Sequence, residues 1–145
     1  MAGFSDTFEN DVCKLIFNAV AIGNIADNAA AAPLTNLWCS LHTADPGDAG
    51  VQGTSEGGYA QYTRISVART TGGWVVTNNS VSPVANIDFP QNTSTSTGTF
   101  THAAIGITSA STATKYLAAG TISPNINFSQ NVTPRLTTAS SFTLD

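Results

Sequence analysis

Charge is what this sequence has least of. Asp, Glu, Lys and Arg make up 10% of its 145 residues, against about 25% in ordinary soluble domains. Lys and Arg together number 5 and the net charge is −4. So few cations cannot line a phosphate backbone, which excludes a nucleic-acid partner. They cannot form a polybasic membrane patch either. No apolar run approaches the roughly 20 residues that cross a bilayer. The opening Met1-Ala2-Gly3-Phe4-Ser5-Asp6 lacks the basic stretch of a secretion signal, so synthesis in a cytoplasm is expected. Cysteine is nearly absent: Cys13 and Cys39 are the only two. Two make no disulfide framework, and both fall among apolar neighbours, which predicts buried free thiols.

What replaces charge is Thr, Ser, Asn, Ala and Gly. With 41% hydrophobic residues, the chain can build a core, and disorder through excess charge does not apply. The length fits one domain, expected to span residues 1–145. A surface so short of charge also suggests burial against partner subunits, including copies of the same chain.

The clearest pattern is the first. Phe4, Phe8, Val12, Leu15 and Ile16 recur at helical spacing, which predicts an amphipathic helix over about 6–22 with that stripe as its core face. Asp6 with Glu9 three residues on suits an N-terminal cap, and Gly23 suits a terminator. An Ala/Asn-rich connection fills 24–33, and a β domain is expected over 34–145. Leu37, Cys39 and Leu41 alternate with Trp38, Ser40 and His42, the period of a strand. Further strands are expected at 59–68, 74–77, 84–89, 99–108 and 115–122, with weaker ones at 126–128 and 132–138, and 141–145 closes the chain with Phe142 and Leu144 on one face. Gly72-Gly73 suggests a hairpin joining 59–68 to 74–77. The apolar positions change parity between Phe100 and Ile105, which points to a bulge. Short, regularly spaced strands predict a mostly β fold: an antiparallel β-sandwich or jelly-roll-like domain behind one N-terminal helix.

The residues offer little chemistry. His42 and His102 have no metal-ligand spacing with Cys39 or an acid. No nucleophile elbow or phosphate loop is present. The turn Asp45-Pro46-Gly47-Asp48 and Glu56 could gather oxygens, but without a calcium-loop spacing. No catalytic residue, metal or cofactor is therefore expected, and the protein reads as a non-enzyme. The loop carrying Asp45, Pro46, Gly47, Asp48, Glu56, Gly57, Gly58 and Tyr59 is the candidate partner-contact surface.

Several stretches in order carry a resemblance. They are the opening Met-Ala-Gly before a short helix, then Leu37-Trp38-Cys39-Ser40-Leu41-His42-Thr43-Ala44-Asp45-Pro46-Gly47-Asp48-Ala49-Gly50 and Gly57-Gly58-Tyr59-Ala60. Ile87-Asp88-Phe89-Pro90, Thr101-His102-Ala103-Ala104-Ile105-Gly106-Ile107 and the closing Phe142-Thr143-Leu144-Asp145 follow. This order resembles a family of small virion structural proteins of tailed bacteriophages, often labelled tail-fibre proteins. The resemblance implies a virion location after synthesis in the host cytoplasm. It also implies partners among other virion proteins, either the major capsid protein or tail proteins. Small size and low charge favour a homo-oligomeric capsid decoration or cement protein. A tail-fibre, baseplate or neck component is the alternative, and a carbohydrate-binding β-sandwich using Tyr59, Tyr62 or Trp74 is another.

Overall fold

The computed structural model describes residues 5–23, 25, 29, 32–110 and 115–144. Phe4, most of the 24–33 connection and Asp145 lie outside the described residues. The elements are α1 (Asp6–Asn18), β1 (Asn36–His42), β2 (Ile65–Ala68), β3 (Trp74–Thr77), β4 (Ser80–Pro83), β5 (Ile87–Asp88), β6 (Gly98–Gly106), β7 (Tyr116–Phe128), β8 (Arg135–Leu136) and β9 (Phe142–Thr143). The expected mostly β, antiparallel fold behind one N-terminal helix is what the chain adopts. Two compact units divide it. One comprises Met1–Asn36, Val67–Asn86 and Thr137–Asp145, and the other Leu37–Ser66 and Ile87–Leu136.

In the first unit α1 packs on β3 and β4, within an antiparallel sheet of order β3-β4-β9. Ser5, not Asp6, is the N-cap, and its side chain makes no capping bond. The helix ends four residues before Ile22, because Ala19 turns left-handed at φ 56 and Val20 N–H reaches back to the Lys14 carbonyl at 3.2 Å. Arg69 then takes the carbonyls that the shortened helix leaves over. Its Nη2 donates to Leu15 O at 2.6 Å and its Nε to Ile16 O at 2.5 Å. A cation there also complements the negative end of the helix dipole.

The buried face of α1 is Glu9, Cys13 and Phe17, whereas Phe8, Val12, Leu15 and Ile16 are half-buried. Phe17 meets Trp74 edge to face at 5.2 Å. Asn18 Nδ2 donates to Trp74 O at 3.2 Å and Asn10 Nδ2 to Asn78 O at 2.8 Å, so polar side chains fix the helix to its sheet. The hairpin here joins β3 to β4 through Asn78, whose φ of 54 supplies the tight turn. The pairing expected across Gly72-Gly73 does not form: β2 lies in a different sheet from β3.

The second unit centres on a sheet of order β2-β1-β6-β7 and a two-stranded ribbon of β5 and β8. An exposed ion pair, Arg135 with Asp88, crosses that ribbon. β1 is inaccessible from Cys39 to His42 and pairs antiparallel with β6. The register of β6 against β7 shifts within the stretch where an irregularity was expected. Phe100 pairs with Ile126 but His102 with Thr121, so Ile122 to Asn125 of β7 bulge opposite one residue. Phe100, Phe128, Tyr59, Tyr62 and Phe89 form an aromatic core, with Phe100 and Phe128 rings 4.7 Å apart and Tyr62 stacked on Phe89 at 5.9 Å. A Cβ at Gly58 or Gly98 would lie 2.5 Å or 2.6 Å from the Phe128 ring, so both positions require glycine for that ring to seat. The expected strand 59–68 shrinks to β2, because a turn (Tyr62 N–H to Tyr59 O, 3.1 Å) folds both tyrosines into this cluster.

Candidate functional site

The loop after β1 is built on its own hydrogen bonds. Asp45 Oδ1 accepts from Gly47 N–H at 2.9 Å, and Gly47 O accepts from Gly50 N–H and from the Tyr116 hydroxyl, each at 2.7 Å. The eight residues proposed from sequence for partner contact therefore separate. Asp45, Asp48 and Gly58 are exposed; Gly47 and Gly57 are half-buried; Pro46 and Tyr59 are buried. Tyr59 hydrogen-bonds Pro90 O at 2.7 Å from within the aromatic core, and burial pushes its hydroxyl up to about 12. Glu56 bridges back to His42 in the ladder, and its carboxylate is committed to an ion pair. Trp74, at 1% exposure, and the buried Tyr59 offer no open ring face to a sugar.

A buried polar network anchors this loop to β1. Gln52, Ser40 and His42 are all 0% exposed. His42 Nδ1 lies 2.8 Å from Thr54 O and acts as donor there, which leaves Nε2 to accept from Ser40 Oγ at 2.9 Å. Gln52 Nε2 donates to Trp38 O at 2.8 Å and to Ser40 Oγ at 3.0 Å. The Ser–His pair resembles a nucleophilic dyad, but neither group meets solvent in this arrangement and a backbone carbonyl stands where an orienting carboxylate would be. Its role is to satisfy buried polar atoms.

Desolvation is the largest influence on His42 and lowers its pKa below the ordinary 6.5; Arg64 and His102 push the same way, and the Thr54 carbonyl and Glu56 charge oppose them. The unfolded chain then binds a proton that folded His42 resists. Stability contributed by neutral His42 is complete above 6.5 and is lost as pH falls through the interval below it. Denaturant midpoints measured at about pH 5 and about pH 7.5 should differ in the wild type and differ less in His42→Gln, which does not titrate.

Beside the network lies a polar cleft of about 370 Å³, lined by Gly53, Glu56, Tyr62, Thr63, Arg64 and Ser109. Its floor is a bidentate ion pair: Arg64 Nε and Nη2 reach Glu56 Oε1 and Oε2 at 2.7 Å and 2.6 Å, with side-chain exposures of 2% and 8%. Arg64 Nη1 also donates to Thr108 O at 3.0 Å and Ala110 O at 2.6 Å. The Tyr62 hydroxyl accepts from Leu41 N–H at 2.8 Å and donates to Glu56 Oε1 at 3.2 Å. Burial beside that carboxylate pushes the phenol pKa up, and Tyr62 stays protonated.

Sequence reading missed Arg64, which falls in a segment taken for a strand. The available signal was scarcity: an arginine in a chain with 5 cations is worth matching to a carboxylate. Among the described residues no group of three or more His, Cys, Asp or Glu side chains could hold a metal ion.

No curated protein matches the sequence. The family model described as Podophage GP4 fiber I protein gp80 matches residues 3–141, nearly the whole length, and the chain belongs to this family of phage fibre proteins.

Proposed function

We propose that the protein is a non-enzymatic structural subunit of the tail-fibre apparatus, assembled into the virion through contacts with other particle proteins and with copies of itself. As a phage fibre family member it is a virion component made in the host cytoplasm. The family match over residues 3–141 supports the tail reading. The polar chemistry supports a structural role: Ser40, His42, Gln52, Glu56 and Arg64 are all occupied in holding loops to strands. A second reading, capsid decoration, is favoured by the charge-poor composition, 10% charged residues, which suits a subunit clamped between neighbours. Copy number in purified particles, measured against the major capsid protein, separates the two.

The exposed carboxylates of the contact loop, Asp45 and Asp48, are proposed to touch a partner. In the same measurement, charge reversal at both positions should lower incorporation. Unchanged incorporation would remove the loop from the interface.

A further inference from the structure

β7 is an edge of its sheet, and at 13 residues it is far longer than the other described edges. β2 and β3 have 4 residues each, and β5, β8 and β9 have 2. No backbone group of β7 bonds to any described segment other than β6. The outer side of the strand therefore presents a row of unpaired N–H and C=O groups, which another strand can take up. Such edges are ordinarily guarded by charge, by Pro or by a bulge. In β7 the guards stand toward the ends. Lys115 precedes the strand, Leu117 is left out of the β6 register, and Pro124 falls in the bulge opposite Thr101. From Tyr116 to Ile122 there is neither charge nor Pro, and Leu117 is exposed. A Cβ added at Gly120 would meet nothing within 4 Å, so no described element covers the strand near the middle of this run.

We propose that β7 is an interface between two copies of this chain, their edges pairing antiparallel about a twofold axis at Ala119. Ala119 is the midpoint of Tyr116–Ile122. With the axis there, Ala118 faces the partner's Gly120 and Leu117 faces the partner's Thr121, while Lys115 faces the partner's Ser123. No like charges meet on this register, so an identical strand pairs without repulsion. The twofold makes each contact twice and joins the two four-stranded sheets into one. A second copy is the occupant because it brings the same neutral run, in the one register that sets Ala119 against itself. The proposal rests on the reading of the protein as a subunit that contacts its own copies, and not on where in the particle the subunit sits.

The test is sedimentation velocity of the full chain over a wide concentration range, joined to cysteine cross-linking. The wild type should show a reversible dimer. Leu117→Lys and Thr121→Lys, both at exposed positions, should each weaken it at least about tenfold with the circular dichroism spectrum unchanged. Leu117→Lys combined with Thr121→Glu should restore it, because the register sets opposite charges face to face. Under mild oxidation Ala119→Cys should form a disulfide-linked dimer, since a residue paired with itself across a twofold lies within disulfide reach. Asn127→Cys, exposed on the same strand but far from the axis, should not; the native Cys13 and Cys39 are buried. A wild type that stays monomeric throughout would overturn the interface and leave the copy-number test of particle position untouched. A dimer indifferent to Leu117→Lys, or equal cross-linking of Ala119→Cys and Asn127→Cys, would overturn it as well.

Discussion

Arg64→Leu is expected to destabilise the protein by about 3–5 kcal/mol, the usual consequence of stranding one charge of a buried pair. The Glu56 side chain is only 8% exposed, so its carboxylate cannot recover the lost bonds from water. Two further acceptors lose their partner, Thr108 O and Ala110 O. Removing both charges tells pairing from packing. Arg64→Leu with Glu56→Leu should be more stable than Arg64→Leu alone, since an apolar pair leaves no uncompensated charge. Urea denaturation of the four proteins in the cycle gives the comparison. Equal stability of wild type and Arg64→Leu would mean that the ion pair is not formed in solution.

Trp74→Ala should have a comparable effect, about 3–5 kcal/mol, through a different cause. Trp74 is 1% exposed and is the surface against which Phe17 of the helix packs at 5.2 Å. Truncation leaves a cavity beside a helix whose other anchors include polar contacts, Asn10 to Asn78, Asn18 to the Trp74 carbonyl and Arg69 to the Leu15 and Ile16 carbonyls. Far-ultraviolet circular dichroism should therefore show loss of helical signal earlier in the urea transition. Trp74→Phe retains most of the ring volume and should cost less. The indole N–H makes no hydrogen bond among the described residues, so its removal adds no penalty of its own.

Local pattern was legible in this sequence wherever one residue's neighbours decided its place. The alternation of Leu37, Cys39 and Leu41 gave β1, and the changed parity after Phe100 located the β6–β7 irregularity. Trp74–Thr77 became β3 at the expected bounds. What was not legible depended on distant partners. The helix length was misjudged because the helix stops at a left-handed Ala19, with its freed carbonyls taken up by Arg69, 53 residues beyond Ile16. The helix face was read as Phe8, Val12, Leu15 and Ile16, yet Glu9, Cys13 and Phe17 are the inaccessible positions. The reason lies in where the two β3–β4 strands stand, which periodicity does not contain. Strand pairing was misassigned at Gly72-Gly73, since a two-glycine link fits a hairpin equally well when its flanking strands belong to different sheets. At the site, Glu56 and Tyr59 looked like free loop residues. Their burial follows from Arg64 and from the Phe128 ring.

Quantitative mass spectrometry of purified virions, with the major capsid protein as internal reference, tests the tail-fibre assignment most directly. A fibre subunit should be present at a small fraction of the capsid protein's copy number, in the range of other tail proteins from the same particle. A copy number close to that of the capsid protein would contradict the fibre reading and make the protein a decoration of the head.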